Sequence, residues 1–182
     1  KGVYVGPSGN ITSMDAANSP NIDIHATEVA EIMIGSAGPQ EGVAPFADLY
    51  SAATGGLDTD AALVFNRLIK FSGPNIRMRA MNVSFGREAQ APIEKLDGQA
   101  YITQFVDWSA SHQDVTYVFA WGNSDSPSAR VPQDNFNGIK VAASEKPMNE
   151  NVFRQFSINT NANTGDPFGG NRSGIDILAP GR

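Results

Sequence analysis

Short apolar segments of strand length alternate with segments of helical periodicity along most of this sequence. The predicted strands cover residues 47–53, 78–85, 115–120, 138–143 and 175–179, and the predicted helices cover residues 27–34, 59–71 and 99–110. A helix between two strands favours a right-handed crossover, which makes the strands parallel and covers the faces of their sheet. The sequence therefore predicts an α/β fold of three layers, with a doubly wound and mostly parallel sheet between helices.

Composition narrows the classes of protein to which this chain can belong. With 182 residues, 41% hydrophobic and 18% charged, the chain can bury a core, so residues 1–182 are expected to form one domain. The formal charge of −6 disfavours nucleic acid and anionic membranes as partners. No apolar run is long enough to cross a bilayer. The absence of cysteine excludes disulfides, thiolate nucleophiles and thiolate zinc sites.

The two ends of the sequence show no sustained periodicity. Residues 1–24 are rich in Gly, Ser, Asn and Pro, which is typical of loops. The first residues have neither an initiating methionine nor the basic and apolar regions of a signal peptide, and the last residues form a turn-like segment. We therefore expect both ends to be cuts through a longer protein and the fold to be incomplete at both ends.

Functional residues are expected where the predicted strands end, because ligands of parallel sheets bind at the carboxyl ends of the strands. The segment Ser-Phe-Gly at residues 84–86 follows one predicted strand, and Trp-Gly-Asn at residues 121–123 follows another. A third candidate is His25, which precedes the first predicted helix. A histidine held at the start of a helix is suited to act as a general base.

Five short motifs follow one another between residues 25 and 181. They are H-A-T-E-V-A at 25–30, G-V-A-P at 42–45, N-V-S-F-G at 82–86, W-G-N at 121–123 and A-P-G at 179–181. Singly, each has an ordinary interpretation, such as an exposed histidine at a helix start, a Gly-Asn turn or a core strand ended by glycine. Their order and spacing together resemble the subtilisin-like serine peptidases, or subtilases, whose motifs are H-G-T-H-V-A-G, G-V-A-P, N-x-S-x-G, A-A-G-N and A-P-G.

The resemblance implies a subtilisin-like fold and a role for each matched residue. His25 is the expected general base, which takes the proton of a serine hydroxyl, and Asn123 is the expected donor to the oxyanion. Two segments are expected to bind the substrate as an extended peptide and to wall its primary specificity pocket. They comprise Ser84, Phe85 and Gly86, and Ala120, Trp121 and Gly122. Trp121 stands where the family has a small residue, so we expect a bulkier pocket floor.

The resemblance leaves two members of the catalytic triad unassigned. A triad needs a nucleophilic serine and a carboxylate besides the histidine. Neither D-[ST]-G nor G-T-S-x-A-x-P occurs in the sequence, and Ser84, Ser124 and Ser173 stand in other contexts. The expected partners are therefore the remainder of the same peptidase domain and a peptide or protein substrate. This chain alone is expected to be inactive.

No cofactor or metal is expected. Many subtilases bind calcium before G-V-A-P through oxygen ligands, but here the corresponding loop offers only Gln40 and Glu41 as side-chain oxygens. Asp58 and Asp60 are interpreted as acids that complement a helix dipole, and His112 as a solvated helix end. The sequence leaves the cellular compartment undetermined, and secretion is implied only by the resemblance to the family.

Two other functions remain open. A non-catalytic, subtilase-like module would hold peptides in the same groove without cleaving them. A doubly wound ligand-binding domain is disfavoured because no glycine-rich phosphate loop follows a strand. The peptidase interpretation makes a specific spatial prediction: the imidazole of His25 and the amide of Asn123 converge on one cleft at the top of the sheet.

Overall fold

A computed structural model describes residues 2–5, 11–13, 24–36, 41–52, 54, 57–71, 77–90, 95–122, 130–145, 157–158 and 174–181. The chain divides into two compact units, residues 1–68 and residues 69–182. Each unit is described by itself. The expectation that residues 1–182 form one domain stays a prediction.

The first unit contains a small antiparallel sheet. Strand β1 (Gly2–Val5) pairs with β2 (Ile11–Ser13) on one side and with β3 (Leu49–Ala52) on the other. The expectation that residues 1–24 are loop was therefore wrong for β1 and β2. Strands of three or four residues are too short to show a period among glycines and prolines, and here they are formed by pairing with each other and with distant β3.

Helix α1 (Ile24–Ile34) begins three residues earlier than predicted and ends where predicted. The expected apolar face of α1 is half-buried, whereas the rest of the helix is exposed, and no residue of α1 is fully buried. This face consists of Val29, Ala30, Met33 and Ile34.

The G-V-A-P segment folds back onto the carboxyl end of α1. Gly42 N donates to Gly35 O at 2.7 Å, and Val43 N donates to Ile32 O at 2.9 Å. The second bond satisfies a carbonyl in the last turn of α1, which has no partner within the helix, and the first lies just beyond the helix end. The second of the five motifs therefore closes the helix on which the first one lies.

The second unit contains the predicted parallel sheet. Its strands are β4 (Ala80–Val83), β6 (Thr116–Ala120), β8 (Ile139–Glu145) and β10 (Ile177–Pro180), in the spatial order β10-β8-β6-β4. All three contacts in this row are parallel, and β9 (Ser157–Ile158) adds to β8 in the antiparallel sense. Two short strands, β5 (Arg87–Glu88) and β7 (Arg130–Val131), form a separate antiparallel ladder. The predicted parallel α/β architecture is confirmed.

Two further helices occupy positions close to those predicted. Helix α2 (Asp58–Phe71) runs across the boundary between the two units, and α3 (Tyr101–Gln113) connects β4 to β6. The acids Asp58 and Asp60 lie in the first turn of α2, as expected from the helix dipole. Within the ranges described, no helix is both long and apolar enough to span a bilayer.

The core of the second unit lies around α3 and β6. The buried face of α3 carries two apolar and two polar residues, Ile102, Val106, Thr103 and Ser109. Along β6 burial alternates, so that Tyr117 and Phe119 are fully enclosed while Thr116 is exposed. The periodicity of the sequence placed Trp108 among the apolar positions of α3. In the structure Trp108 is 47% exposed and stacks on His112 at the solvated end of the helix.

Candidate functional site

The carboxyl ends of β4 and β6 lie next to each other at one edge of the parallel sheet. The two strands are paired in register up to Val83 and Phe119. Residues 84–86 and 120–122 continue from these positions, so the two segments leave the sheet side by side. All six residues predicted to bind substrate are thus brought to one edge, where parallel sheets place their ligand sites.

The first segment is shaped by one polar contact and a glycine. Asn82 Nδ2 donates to Ser84 Oγ at 2.8 Å, which fixes the Ser84 side chain over its own strand. Phe85 is 41% exposed and so presents its ring to solvent. At Gly86 a Cβ would lie 2.8 Å from Arg130 Cβ, so the close approach of Arg130 requires glycine.

The second segment presents backbone rather than a large side chain. Trp121 is 1% exposed and packs with Ala142, Leu96 and Ile175. Its backbone N donates to Val141 O at 2.9 Å, which extends the pairing with β8. Gly122 has φ +112°, a conformation that residues with a Cβ rarely adopt.

Two residues that the sequence did not single out hold the segments together. Gln133 is 2% exposed; its Nε2 donates to Ala120 O and its Oε1 accepts from Arg130 N at 3.1 Å. Arg130 Nη1 donates to Gly86 O at 3.3 Å. The only sequence signal was a polar run, Arg-Val-Pro-Gln-Asp-Asn at residues 130–135, which resembles an ordinary loop until its burial is known.

A buried carboxylate anchors this polar run to α3. Asp134 is 0% exposed and accepts hydrogen bonds from Gly98 N at 2.9 Å and from Thr103 Oγ1 at 2.7 Å. Its two oxygens therefore tie residues 130–135 to α3 and to the segment that leads into it. The positions of Arg130 and Gln133 depend on this anchor.

A buried ammonium group fixes the following turn. Lys140 Nζ donates to Asn135 O at 3.3 Å and to Gly138 O at 3.1 Å, and it lies 3.1 Å from Asp176 Oδ2. The same carboxylate oxygen accepts from Lys140 N at 2.8 Å. Lys140 thus links the turn before β8 to the segment before β10.

The structure describes one of the two predicted catalytic residues, so it does not test whether they lie together. His25 is the second residue of α1 in the first unit, and its side chain is exposed. Asn123 lies outside the described residues, as do Ser124 and Ser173. The predicted convergence of His25 and Asn123 therefore stays a prediction.

Within the described part of the chain, no three side chains of the metal-ligating types His, Asp and Glu come together as they would around a metal ion. Two residues before G-V-A-P could offer side-chain oxygens to a metal. Gln40 lies outside the described residues, and Glu41 is exposed.

Comparison with known proteins adds a family and a fold. The sequence pattern of the subtilase family of peptidases matches residues 7–182. The structure is similar to that of the prenylagaramide maturation protease PagA, with a TM-score of 0.58 and 20% sequence identity. This similarity covers 84% of the present chain and 50% of the PagA chain, so the present chain spans about half the length of that protein. No curated protein matches the sequence significantly.

Proposed function

Because this chain belongs to the subtilase family, we propose that it forms part of a serine endopeptidase domain that hydrolyses peptide bonds. One observation carries the proposal. Residues 84–86 and 120–122 leave neighbouring parallel strands at the same edge, and Arg130 and Gln133 hold them there. A rigid pair of strand ends offers the main-chain groups that an extended peptide needs on both sides.

The substrate would lie along residues 84–86 with its backbone parallel to theirs. Its side chain next to the scissile bond would enter between this segment and residues 120–122. The contact between Asn82 and Ser84 supports this assignment, because it keeps the Ser84 side chain in place as a peptide binds. The sequence led us to expect the Trp121 side chain in the pocket floor, but it is 1% exposed and packs with Ala142, so it does not project between the two segments.

His25 would accept the proton of the attacking serine and then donate it to the leaving amine. The amide of Asn123 would donate to the oxyanion that forms on the scissile carbonyl. The nucleophilic serine and the carboxylate that orients His25 would come from the remainder of the same peptidase domain. Under this proposal the 182-residue chain alone has no activity.

The proposal is tested with the full-length protein that contains this chain. A fluorophosphonate probe, which acylates activated serines, should label the protein, and a peptide mixture should be cleaved. His25→Ala should lower kcat/KM by at least about a thousandfold, because the removal of one triad member abolishes most of the catalytic effect of the triad. His112→Ala, the change of the other histidine, should leave kcat/KM within about twofold, because His112 lies exposed at the end of α3.

A full-length protein that binds peptides but is neither labelled nor able to cleave them would instead be a non-catalytic binding module. Equal losses of activity in His25→Ala and His112→Ala would remove His25 from the role of general base.

A further inference from the structure

The Arg130 side chain lies against the first of the two segments that the proposed function assigns to the substrate. Its Nη1 donates to Gly86 O at 3.3 Å, and its Cβ and Cδ would lie 2.8 and 3.4 Å from a Cβ at Gly86. Arg130 N donates to Gln133 Oε1 at 3.1 Å, and Gln133 Nε2 donates to Ala120 O. Arg130 therefore contacts the first segment directly and is held to the second through one residue.

Arg130 is half-buried, and the part of the chain that the structure describes gives its guanidinium one acceptor. A guanidinium presents five N–H donors in a planar fork. Gly86 O accepts from Nη1, and within the ranges described no carboxylate forms an ion pair with Arg130. Glu88 lies across the β5–β7 ladder from Arg130 in register, but it is exposed. A partly desolvated cation of this kind is stabilised when an anion binds next to it.

We propose that Arg130 is a specificity-determining residue and that the substrate carries Asp or Glu at the position whose side chain enters between residues 84–86 and 120–122. This inference rests on the proposed function and names its substrate class. The incoming carboxylate accepts charge-assisted hydrogen bonds from the guanidinium donors that Gly86 O leaves over. A neutral side chain leaves those donors without an anion, and a lysine side chain meets a like charge.

A purely structural role for Arg130 makes a different prediction. If the guanidinium only braces Gly86 O, its loss disturbs the binding of every peptide to the same extent. Discrimination between a carboxylate and its neutral isostere separates the two roles, because Glu and Gln have nearly the same shape and differ in charge.

The first experiment digests a proteome-derived peptide mixture with the full-length protein and identifies the cleavage sites by mass spectrometry. We expect enrichment of Asp and Glu immediately before the cleaved bond. The best-cleaved sequence is then made as four fluorogenic peptides with Glu, Gln, Ala or Lys at that position. We expect kcat/KM for the Glu peptide to exceed that for the Gln peptide by about 10- to 100-fold, as for hydrogen bonds to a charged partner.

The second experiment repeats these measurements on variants. Arg130→Gln, which retains a donor for Gly86 O, should reduce the Glu-to-Gln ratio to about threefold or less, and Arg130→Glu should favour the Lys peptide. Arg87→Gln is the matched control. It removes the same charge from the adjoining strand β5, where Arg87 Nη1 donates to Glu88 O at 3.1 Å. The Glu-to-Gln ratio of this variant should stay within about twofold of the wild-type value.

Fluorophosphonate labelling of each variant counts the folded active sites, so a folding defect is not read as a loss of specificity. Absence of Asp and Glu enrichment would overturn the role of Arg130 and leave the peptidase function standing. If Arg130→Gln lowers kcat/KM equally for all four peptides, the guanidinium only supports Gly86 O and the proposal is overturned. It is also overturned if Arg87→Gln reduces the Glu-to-Gln ratio as much as Arg130→Gln does, because the ratio then reflects the positive charge of this surface in general. Absence of both labelling and cleavage in the wild type would overturn the peptidase function, and the role of Arg130 with it.

Discussion

The hydroxyl oxygens of Ser109 and Tyr117 lie 2.8 Å apart in the core and join α3 to β6. Both residues are 0% exposed. Ser109 Oγ also lies 3.1 Å from Val106 O, to which it can donate, and either of the two hydroxyls can donate to the other. This chain of two hydroxyls fixes the helix against the strand that ends in residues 120–122.

Tyr117→Phe is expected to lower the free energy of unfolding by about 1 kcal/mol at neutral pH, the usual net worth of one hydrogen bond. Burial raises the pKa of the Tyr117 hydroxyl above its ordinary value of 10.0, and the hydrogen bond with Ser109 opposes part of that rise. The folded state therefore keeps this proton to a higher pH than the unfolded chain does.

This difference gives alkaline pH a definite effect. The contribution of Tyr117 to stability is constant below pH 10 and falls as pH rises further, by up to about 1.4 kcal/mol per pH unit. Urea denaturation between pH 8 and about 11 should show a shallower decline in Tyr117→Phe than in the wild type. Tyr101→Phe is the control, since Tyr101 is 60% exposed and its change should cost less than about 0.5 kcal/mol. An identical alkaline decline in wild type and Tyr117→Phe would contradict the prediction.

Asp134→Ala is expected to destabilise the protein by about 3 kcal/mol, because it leaves the buried donors Gly98 N and Thr103 Oγ1 without their acceptor. Thr103→Val removes one of these two bonds and no charge, so it should cost only about 1 kcal/mol. Thermal and urea denaturation of both variants measure this difference. Equal costs would mean that Gly98 N finds another acceptor once the carboxylate is gone.

Lys140→Met is expected to lower the free energy of unfolding by about 2 kcal/mol, since it removes the buried ammonium and its bonds to Asn135 O and Gly138 O. Asp176→Asn should cost about 1 kcal/mol or less, because the Asp176 side chain is 41% exposed and water screens the ion pair on that side. Urea denaturation of the two variants would reveal whether the carbonyl contacts or the ion pair contribute more. A larger cost for Asp176→Asn would reverse this order.

Asn123→Ala in the full-length protein is expected to lower kcat with little change in KM, because the oxyanion forms only in the transition state. The expected loss is about a hundredfold or more, a magnitude known for the corresponding asparagine of subtilisin, a member of this same family. Steady-state kinetics on the best-cleaved peptide provide the measurement. A raised KM at constant kcat would instead assign Asn123 to substrate binding.

Several elements could be read from the sequence because their signals are local. The apolar runs of β6 and β8 and the periodicity of α2 lie in unbroken segments, and the structure has these elements within a few residues of their predicted bounds. Strands β1 and β2 were missed because three or four residues carry too little pattern. Trp108 was counted as an apolar position of α3, although the face that is buried includes the polar residues Thr103 and Ser109.

The sequence by itself determined the parallel α/β architecture, the family and the two strand-end segments. Periodicity and short motifs depend on residues that are close along the chain, and the order of the motifs can be followed along the sequence without knowing the fold. Only the tertiary structure decided that Arg130 and Gln133 bind Gly86 O and Ala120 O, and that Asp134 lies fully buried behind them. These contacts join residues 13 to 44 positions apart in sequence. A polar run of this kind looks the same in solvent as in a core, and what distinguishes the two is which distant donors and acceptors the fold places opposite it.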